Sequence, residues 1–427
     1  MKKHLFAFLL LIHTISVLAQ PSNLKYEDWI YNQNVKTVLL YPKKTNTPND
    51  QLNPPIVALG KIEIPLVAEF DWLSPNYQTF RVKIFHCNAD WTPSILSEIE
   101  YLPEYNDYPI NDYHNSFATK TPYFHYTFEL PNVKVSGNYV VMVYKNNRPE
   151  DIVFSRRFMV YDNRVLIGAR VDYATYNQKR RTHQQVDFTL GYGSYPVMNS
   201  REDFNVMIRQ NYRNETIKTG FKPFMARDDI GKLEYQFFNE ENLFAGENEF
   251  HIVDLRSTQT RLYNVARIQQ LPEETRLTVA YNEPQAGKVY IETNDFDGQF
   301  LIDNYETNRG GTEADYINTI FQLRMSELTD RNIYVNGAFN FWHLDEKNRM
   351  KYNPESQSYE LAIVLKQGVY NFDYLAEEIA TKTSSEAELE GTHAATQNDY
   401  EIFVYHRPIG ARADALVGYQ VVEFNKR

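Results

Sequence analysis

The sequence predicts an all-β protein built from tandem β-sandwich domains. Aromatic residues make up 15% of the 427 residues, with 32 Tyr and 26 Phe, and these side chains favour the half-buried surface of a sheet. Short runs of alternating apolar and polar residues recur between turn residues, and long helical periodicity is almost absent. Many short strands with no internal repeat favour sandwiches over propeller blades.

The first 19 residues are predicted to be a cleavable signal peptide. Lys2 and Lys3 supply the positive start, residues 5–11 supply the apolar run, and residues 17–19 supply the cleavage site. Gln20 is then the first mature residue. The apolar run is too short for a good spanning helix. We therefore expect an exported, soluble protein that does not insert into the membrane.

Charge and cysteine content narrow the class further. The formal net charge of −11 argues against nucleic-acid binding, because phosphate contacts need clustered cations. Cys87 is the single cysteine, so no intramolecular disulfide can form and each domain must bury enough apolar surface alone. Cys87 lies in an apolar strand and is expected to be a small buried side chain.

The N-terminal β-sandwich domain is expected to span residues 20–161 and to be organised around residues 80–94. This stretch is an alternating strand that ends in a polar turn, with Trp91 expected to fold over the end of the sheet and Pro93 to stop the strand. The expected strands are 35–41, 61–70, 78–85, 123–129, 137–144 and 152–161.

A long connection, residues 98–121, interrupts this domain and is rich in tyrosine. Loops of this length in a compact domain are functional or are packed by their own side chains. Both readings stay open here. Under the first, the candidate partner-binding residues are Tyr101, Tyr105, Tyr108 and Tyr113.

Two further domains are expected: a middle β-sandwich domain at residues 162–275 and a C-terminal domain at residues 276–427. The proposed breaks are Asp162-Asn163 and the polar, proline-containing stretch 270–274. Residues 294–298 place carboxylates at alternate positions before Gly298, as in half of a calcium loop. The remaining ligands are not at the required spacing, so a turn is favoured over a metal site.

Motifs for catalysis and cofactor binding are absent from the sequence. It has no G-x-S-x-G elbow, Walker loop, H-E-x-x-H or glycine-rich dinucleotide turn, and its histidines are dispersed. We therefore predict no enzyme, no cofactor and no metal. A two-carboxylate glycosidase stays open, because that mechanism depends on geometry rather than on a sequence motif.

Residues 334–342 form one motif that resembles a known module. Gly337, Phe339, Asn340 and Trp342 match the G-x-F-N-x-W signature of early-set immunoglobulin-like modules found beside starch- and glycogen-acting enzymes. The resemblance implies tandem immunoglobulin-like β-sandwich domains with an early-set C-terminal domain. The motif is either a scaffold element or a sugar-binding site with Trp342 stacking on the ring.

Several blocks together resemble the plug protein family of the type 9 secretion system, found in the Bacteroidetes. The blocks keep their order over nearly the whole mature chain. They are HCNADW at 86–91 with Ser94, INDY at 110–113 with Ser116, YFHY at 123–126, SGNY at 136–139, NEF at 248–250 with Asp254, residues 316–323, LKQGVYN at 365–371, and Gly410 with Arg412 and Asp414.

This resemblance implies a function. The outer-membrane translocon of that system is a very large β-barrel, and the plug is a periplasmic protein that seals its inner mouth when no cargo complex is bound. The chain is thus expected in the periplasm, at the inner face of the outer membrane, with that barrel as its partner. The alternative is a periplasmic carbohydrate-binding protein that uses the early-set domain. No family binding residue carries over, because the matched motifs look mainly structural.

Overall fold

The computed structural model describes residues 23–61 and 63–426, and these form three β-sandwiches. The expected signal peptide, residues 1–19, and Gln20 lie outside the described residues. Within the described part of the chain, no helix is long and apolar enough to cross a membrane. The all-β fold class predicted from the sequence is confirmed.

The first sandwich packs a six-stranded sheet against a four-stranded sheet. The six-stranded sheet contains Trp29–Ile30, Ile56–Ala58, Phe80–Cys87, Tyr108–Ile110, Gly137–Lys145 and Ile152–Tyr161. The four-stranded sheet contains Val35–Pro42, Leu66–Trp72, Asp112–Asn115 and Phe124–Glu129. Their inward side chains form one aromatic core, in which Phe70 packs on Phe80, Tyr126 and Phe154 with ring centroids 5.0–5.1 Å apart.

The second sandwich is built from two distant parts of the chain. One five-stranded sheet contains Leu166–Tyr173, His183–Gly191, Met225–Arg227, Lys232–Glu234 and Leu243–Ala245. The facing three-stranded sheet contains Phe204–Gln210, Asn398–His406 and Ala415–Phe424. Its core therefore combines Phe188 and Ile208 with Ile402 and Val417 from the end of the chain.

The third sandwich lies between those two parts of the chain and pairs two five-stranded sheets. One contains Val265–Gln270, Thr275–Val279, Tyr316–Arg324, Lys351–Asn353 and Ser358–Lys366. The other contains His251–Asp254, Phe300–Ile302, Arg331–Asn336, Gly368–Glu378 and Ser384–Ser385.

Short helical turns complete the chain between the strands. They are Pro48–Leu52, Glu98–Tyr101, Ser200–Asp203, Asn214–Thr216, Gly310–Glu313, Ala338–Asn340 and Ala387–Glu390. None is longer than five residues, as the lack of helical periodicity indicates.

Strand pairing divides the chain differently from the linear division expected at 275/276. The expected break at 161/162 coincides with the end of strand Ile152–Tyr161. Residues 251–270, however, pair within the third sandwich, and residues 398–424 pair within the second. The expected C-terminal domain 276–427 is thus not one continuous unit, because strand Phe204–Gln210 finds its partner only near the end of the chain.

Trp91 does not fold over the first sandwich as expected. It is partly buried and packs against a separate cluster that includes Ala89 and Met159 from the first sandwich and Phe403 from the second. The turn before it is bound to the second sandwich, since the Ala89 amide donates to the Asp414 carboxylate over 2.9 Å. The 80–94 stretch therefore joins two sandwiches. Cys87 within it is fully buried, and burial raises the pKa of its thiol to about 12.

The first and third sandwiches share one strand. Val35–Pro42 carries a bulge between Lys36 and Leu39, and beyond the bulge successive side chains alternate between two faces that serve two cores. Leu40 packs in the first core, whereas Leu39 and Tyr41 pack in the third. The two sandwiches cannot separate without exposing apolar surface from both.

A buried ion pair crosses the same junction. The Lys366 ammonium of the third sandwich lies 2.6 Å from an Asp71 carboxylate oxygen of the first, and both side chains are 1% exposed. The Tyr316 hydroxyl donates to Asp71 over 2.7 Å, and His125 Nδ1 lies 2.8 Å from its other oxygen. Burial alone would raise the pKa of Asp71, but Lys366 and His125 outweigh it and hold the pKa below its ordinary value.

Replacing Lys366 by Met tests this junction. The free energy of unfolding should fall by about 3–5 kcal/mol, because Asp71 is left buried without its cation. Chemical denaturation followed by tryptophan fluorescence measures the loss. The control is Lys382→Met, which removes an exposed ammonium paired with Glu377 and should change stability by less than about 1 kcal/mol. Equal effects of the two substitutions would show that the buried pair does not hold the sandwiches together.

Candidate functional site

The long connection at residues 98–121, here called the edge strap, completes one edge of the first sandwich. It begins with the turn Glu98–Tyr101, which a Ser97–Glu100 capping box starts. Tyr108–Ile110 then pairs with the six-stranded sheet and Asp112–Asn115 pairs with the four-stranded sheet. The strap therefore crosses from one sheet to the other, with Tyr101 and Leu102 buried near its start and Asp112–Asn115 exposed.

The four tyrosines predicted as partner contacts fall into two groups. Tyr101 is 3% exposed and donates its hydroxyl to the Ile84 carbonyl, so it belongs to the core and cannot meet a partner. Tyr108 is half-buried and packs on the same core. Tyr105 and Tyr113 are 78% and 41% exposed and remain accessible.

Tyr113 belongs to an exposed pair of tyrosines. Its ring stacks on Tyr77, with centroids 5.7 Å apart and planes 6° apart, and Tyr77 is itself 58% exposed. Phe117, just beyond the strand, is 70% exposed. We name Tyr77, Tyr105, Tyr113 and Phe117 the aromatic edge. Tyr77 was not predicted as a contact residue from the sequence. The feature that could have indicated it is an aromatic residue inside a polar turn, residues 74–78.

The backbone beneath the aromatic edge is an open sheet edge. Asp112–Asn115 is the last strand of the four-stranded sheet, and all four of its residues are exposed. Such an edge offers unpaired N–H and C=O groups to another chain. The strand carries the charged side chains Asp112 and His114, with His114 Nε2 3.2 Å from the Asp112 carboxylate, and charges of this kind discourage indiscriminate pairing.

The third sandwich fixes the far end of the strap. The Lys120 and Thr121 amides donate to the two Asp315 carboxylate oxygens over 2.8 and 3.1 Å. The Phe117 amide donates to the Thr312 carbonyl over 2.9 Å. The aromatic edge is therefore held in place before any partner arrives, which reduces the entropy lost on binding.

Trp342, the candidate sugar-stacking residue, lies between the second and third sandwiches. The Arg213 guanidinium covers its ring at 4.4 Å from the centroid, and Phe250 packs against it at 5.8 Å. The side chain is only partly exposed. A sugar needs an open aromatic face, and this ring is already covered on one face by an arginine.

Residues 294–298, which resemble half of a calcium loop, form a turn at Gly298 with φ 77°. The Asp297 amide donates to Asp295 over 2.9 Å, and the Lys426 ammonium lies 2.6 Å from Asp297. Among the described residues, no group of three or more His, Cys, Asp or Glu side chains could hold a metal ion. Burial is the main cause that raises the pKa of both Asp295 and Asp297 to about 7.

Comparison with known proteins identifies relatives of the whole chain. The model of the type 9 secretion system plug protein 1st domain matches residues 35–162. A hypothetical protein from Parabacteroides merdae, solved by crystallography, is 32% identical with a TM-score of 0.87, covering 94% of this chain and 100% of that chain. Escherichia coli α2-macroglobulin activated by porcine elastase has a TM-score of 0.17 at 9% identity, covering 91% of this chain and 30% of its own, and carries no argument. No curated protein matches.

The fold and the aromatic edge define a multidomain β-sandwich protein with exposed aromatic side chains on its first domain. The chain belongs to the type 9 secretion system plug protein family, and the matched residues 35–162 coincide with the first sandwich. The resemblance to the plug protein family that the sequence predicted is confirmed. This is not an enzyme family, its members are periplasmic, and membership gives the chain a role related to type 9 secretion.

The buried Asp295 carboxyl gives the protein a pH dependence. Its pKa is about 7 when folded and about 4 when unfolded, so its contribution to stability is complete below about pH 4 and is lost as the pH rises toward 7. Asp295→Asn should lower this pH dependence, measured as the melting temperature from pH 4.5 to 8. Asp229→Asn, at an exposed carboxyl, should keep the wild-type profile. Parallel profiles for wild type and Asp295→Asn would refute the assignment.

Proposed function

We propose that this chain binds the periplasmic mouth of the type 9 outer-membrane translocon barrel and seals it when no cargo complex is bound. Family membership supports a role in that system. The observation that carries the proposal is the aromatic edge, which lies on the family's own domain. Tyrosine is enriched at the centres of protein interfaces, where a few aromatic anchors supply most of the binding energy.

The first and third sandwiches are joined in a way that would make the protein rigid, as a plug requires. A plug must keep its shape at the mouth of a wide pore, and the shared strand Val35–Pro42 and the Asp71–Lys366 pair join the first and third sandwiches into one body. The aromatic edge is anchored to that body through Asp315. The contact surface and the mass that blocks the pore therefore move together.

Sealing must also be reversible. An exposed edge of tyrosines with polar neighbours combines apolar and polar surface, as the interfaces of non-obligate protein complexes do. The fraction of barrels that are sealed then depends on the free concentration of the plug relative to its dissociation constant. A cargo complex that binds the same mouth displaces the plug by competition. Sugar binding at Trp342 has no comparable support, because Arg213 covers that ring.

Native affinity purification tests the proposal directly. The chain is tagged at its C-terminus, the outer membrane is solubilised in mild detergent, and captured proteins are identified by mass spectrometry. A very large outer-membrane barrel in near-equal amount is expected, and it should be absent when cargo-bound complexes are selected instead. Capture of soluble proteins alone, or retention on a glucan column, would refute sealing.

Substitution of the stacked pair locates the contact. Tyr77→Ser with Tyr113→Ser should weaken capture of the barrel at least about tenfold, since an aromatic anchor contributes about 2 kcal/mol or more. The melting temperature should change little because both rings are exposed. Tyr263→Ser, at a 60% exposed ring of the third sandwich, should capture normally. A folded double variant with wild-type capture would exclude the aromatic edge from the interface.

A further inference from the structure

A cavity lies where the three sandwiches meet. Its volume is about 290 Å³, and each sandwich contributes to its wall. Besides Phe300 and His343, the aromatic members of the wall are Trp91 from the first sandwich, Tyr212 from the second, and Phe341 and Trp342 from the third. Binding sites for small molecules occur preferentially at such domain interfaces and are largely lined by apolar and aromatic groups.

All four of these aromatic residues have a left-handed backbone. Their φ angles are 65° for Trp91, 61° for Tyr212, 57° for Phe341 and 61° for Trp342. Bulky residues rarely adopt this conformation, and each such residue costs about 1–3 kcal/mol. Strain of this kind persists where surrounding structure enforces it, and it clusters at binding sites. Four strained aromatic residues from three domains converge on a single cavity.

Two guanidinium groups in the wall stack on aromatic rings, and they differ in how far their hydrogen-bonding capacity is used, because the Arg157 Nε donates to the Tyr26 carbonyl over 2.7 Å. Arg156 lies over the Phe341 ring at 4.5 Å and Arg157 over the Trp91 ring at 4.3 Å. The Arg156 Nε is buried and has no hydrogen-bond partner among the described residues; the Asp28 carboxylate is 3.6 Å away. A guanidinium stacked on a ring keeps its N–H groups free at the edge of its plane.

The third arginine in the wall, Arg209, already has protein partners for its guanidinium group. Arg209 forms a bidentate pair with Glu401 at 2.6 and 2.9 Å and also donates to Asn214. It therefore stabilises the wall and is not available to a ligand. Arg156, whose Nε has no hydrogen-bond partner among the described residues, remains as the cationic group best placed to meet a molecule in the cavity.

The charges of the wall select the ligand. A guanidinium fork matches the two oxygens of a carboxylate or a phosphate. Glu27, Asp28 and Glu215 also line the cavity, and their negative charges oppose a doubly charged group more strongly than a singly charged one. The aromatic wall requires an apolar body on the same molecule.

We propose that this cavity binds a small monocarboxylate with an aromatic or apolar body, its carboxylate on Arg156 and its body between the aromatic side chains. The site is separate from the aromatic edge and is independent of the sealing function. A ligand there touches all three sandwiches, so it stabilises their assembled arrangement by binding only that state.

Isothermal titration calorimetry on the purified chain tests the site with 2-naphthoate as the probe. We expect saturable binding of 2-naphthoate. Its uncharged amide, 2-naphthamide, should bind at least about tenfold more weakly, because a charge-assisted hydrogen bond is lost. No binding, or equal binding of acid and amide, would overturn the proposal. Tighter binding of phenyl phosphate than of 2-naphthoate would overturn the assignment to a monocarboxylate.

Variants place the probe in the cavity. Arg156→Gln should weaken 2-naphthoate at least about tenfold for the same reason. Arg170→Gln, which removes an exposed guanidinium from the second sandwich, should bind as wild type. Phe341→Leu removes an aromatic side chain from the wall together with the ring beneath Arg156, and should weaken the binding of both the acid and the amide. Wild-type affinity in both folded cavity variants would show that the probe binds elsewhere.

Discussion

The pairing of Asp71 with Lys366 is the interaction on which the arrangement of the sandwiches depends. Each charge would be costly to bury alone, and each lies on a different sandwich. The two sandwiches can therefore dock in only the register that brings the ammonium to the carboxylate. Tyr316 and His125 complete the hydrogen bonding of Asp71, which leaves its charge satisfied only in the assembled molecule.

The fold was predictable where its determinants are local. Alternation of apolar and polar residues predicted all six strands proposed for the first domain to within about five residues, because a strand's period is visible in its own sequence. The split second sandwich was not predictable in this way. Its strand Phe204–Gln210 pairs with Asn398–His406, and no local pattern records which distant strand a free edge will meet.

The candidate site, like the fold, was predictable only where its features depend on local sequence. Tyr105 and Tyr113 stay predicted partner contacts, and their exposure could not be told apart from the burial of Tyr101 without the turn at Glu98–Tyr101. The HCNADW block was recognised as a motif and interpreted as a corner of one domain. The structure shows that it joins two, since Ala89 is bound to Asp414. In the sequence, a motif at a domain junction cannot be distinguished from an ordinary turn, because its partner residues lie in a different domain.

The divided second sandwich has a consequence for how the chain folds. The third sandwich is inserted between strands Leu243–Ala245 and Asn398–His406, so the second cannot close until nearly the whole chain has been made. Until then, Phe204–Gln210 lacks its neighbouring strand Asn398–His406, and the three-stranded sheet cannot form. Folding that waits for such distant pairings is slow and vulnerable to aggregation. The first sandwich, continuous in sequence, can form early, and the last strands act as the closing step of the whole molecule.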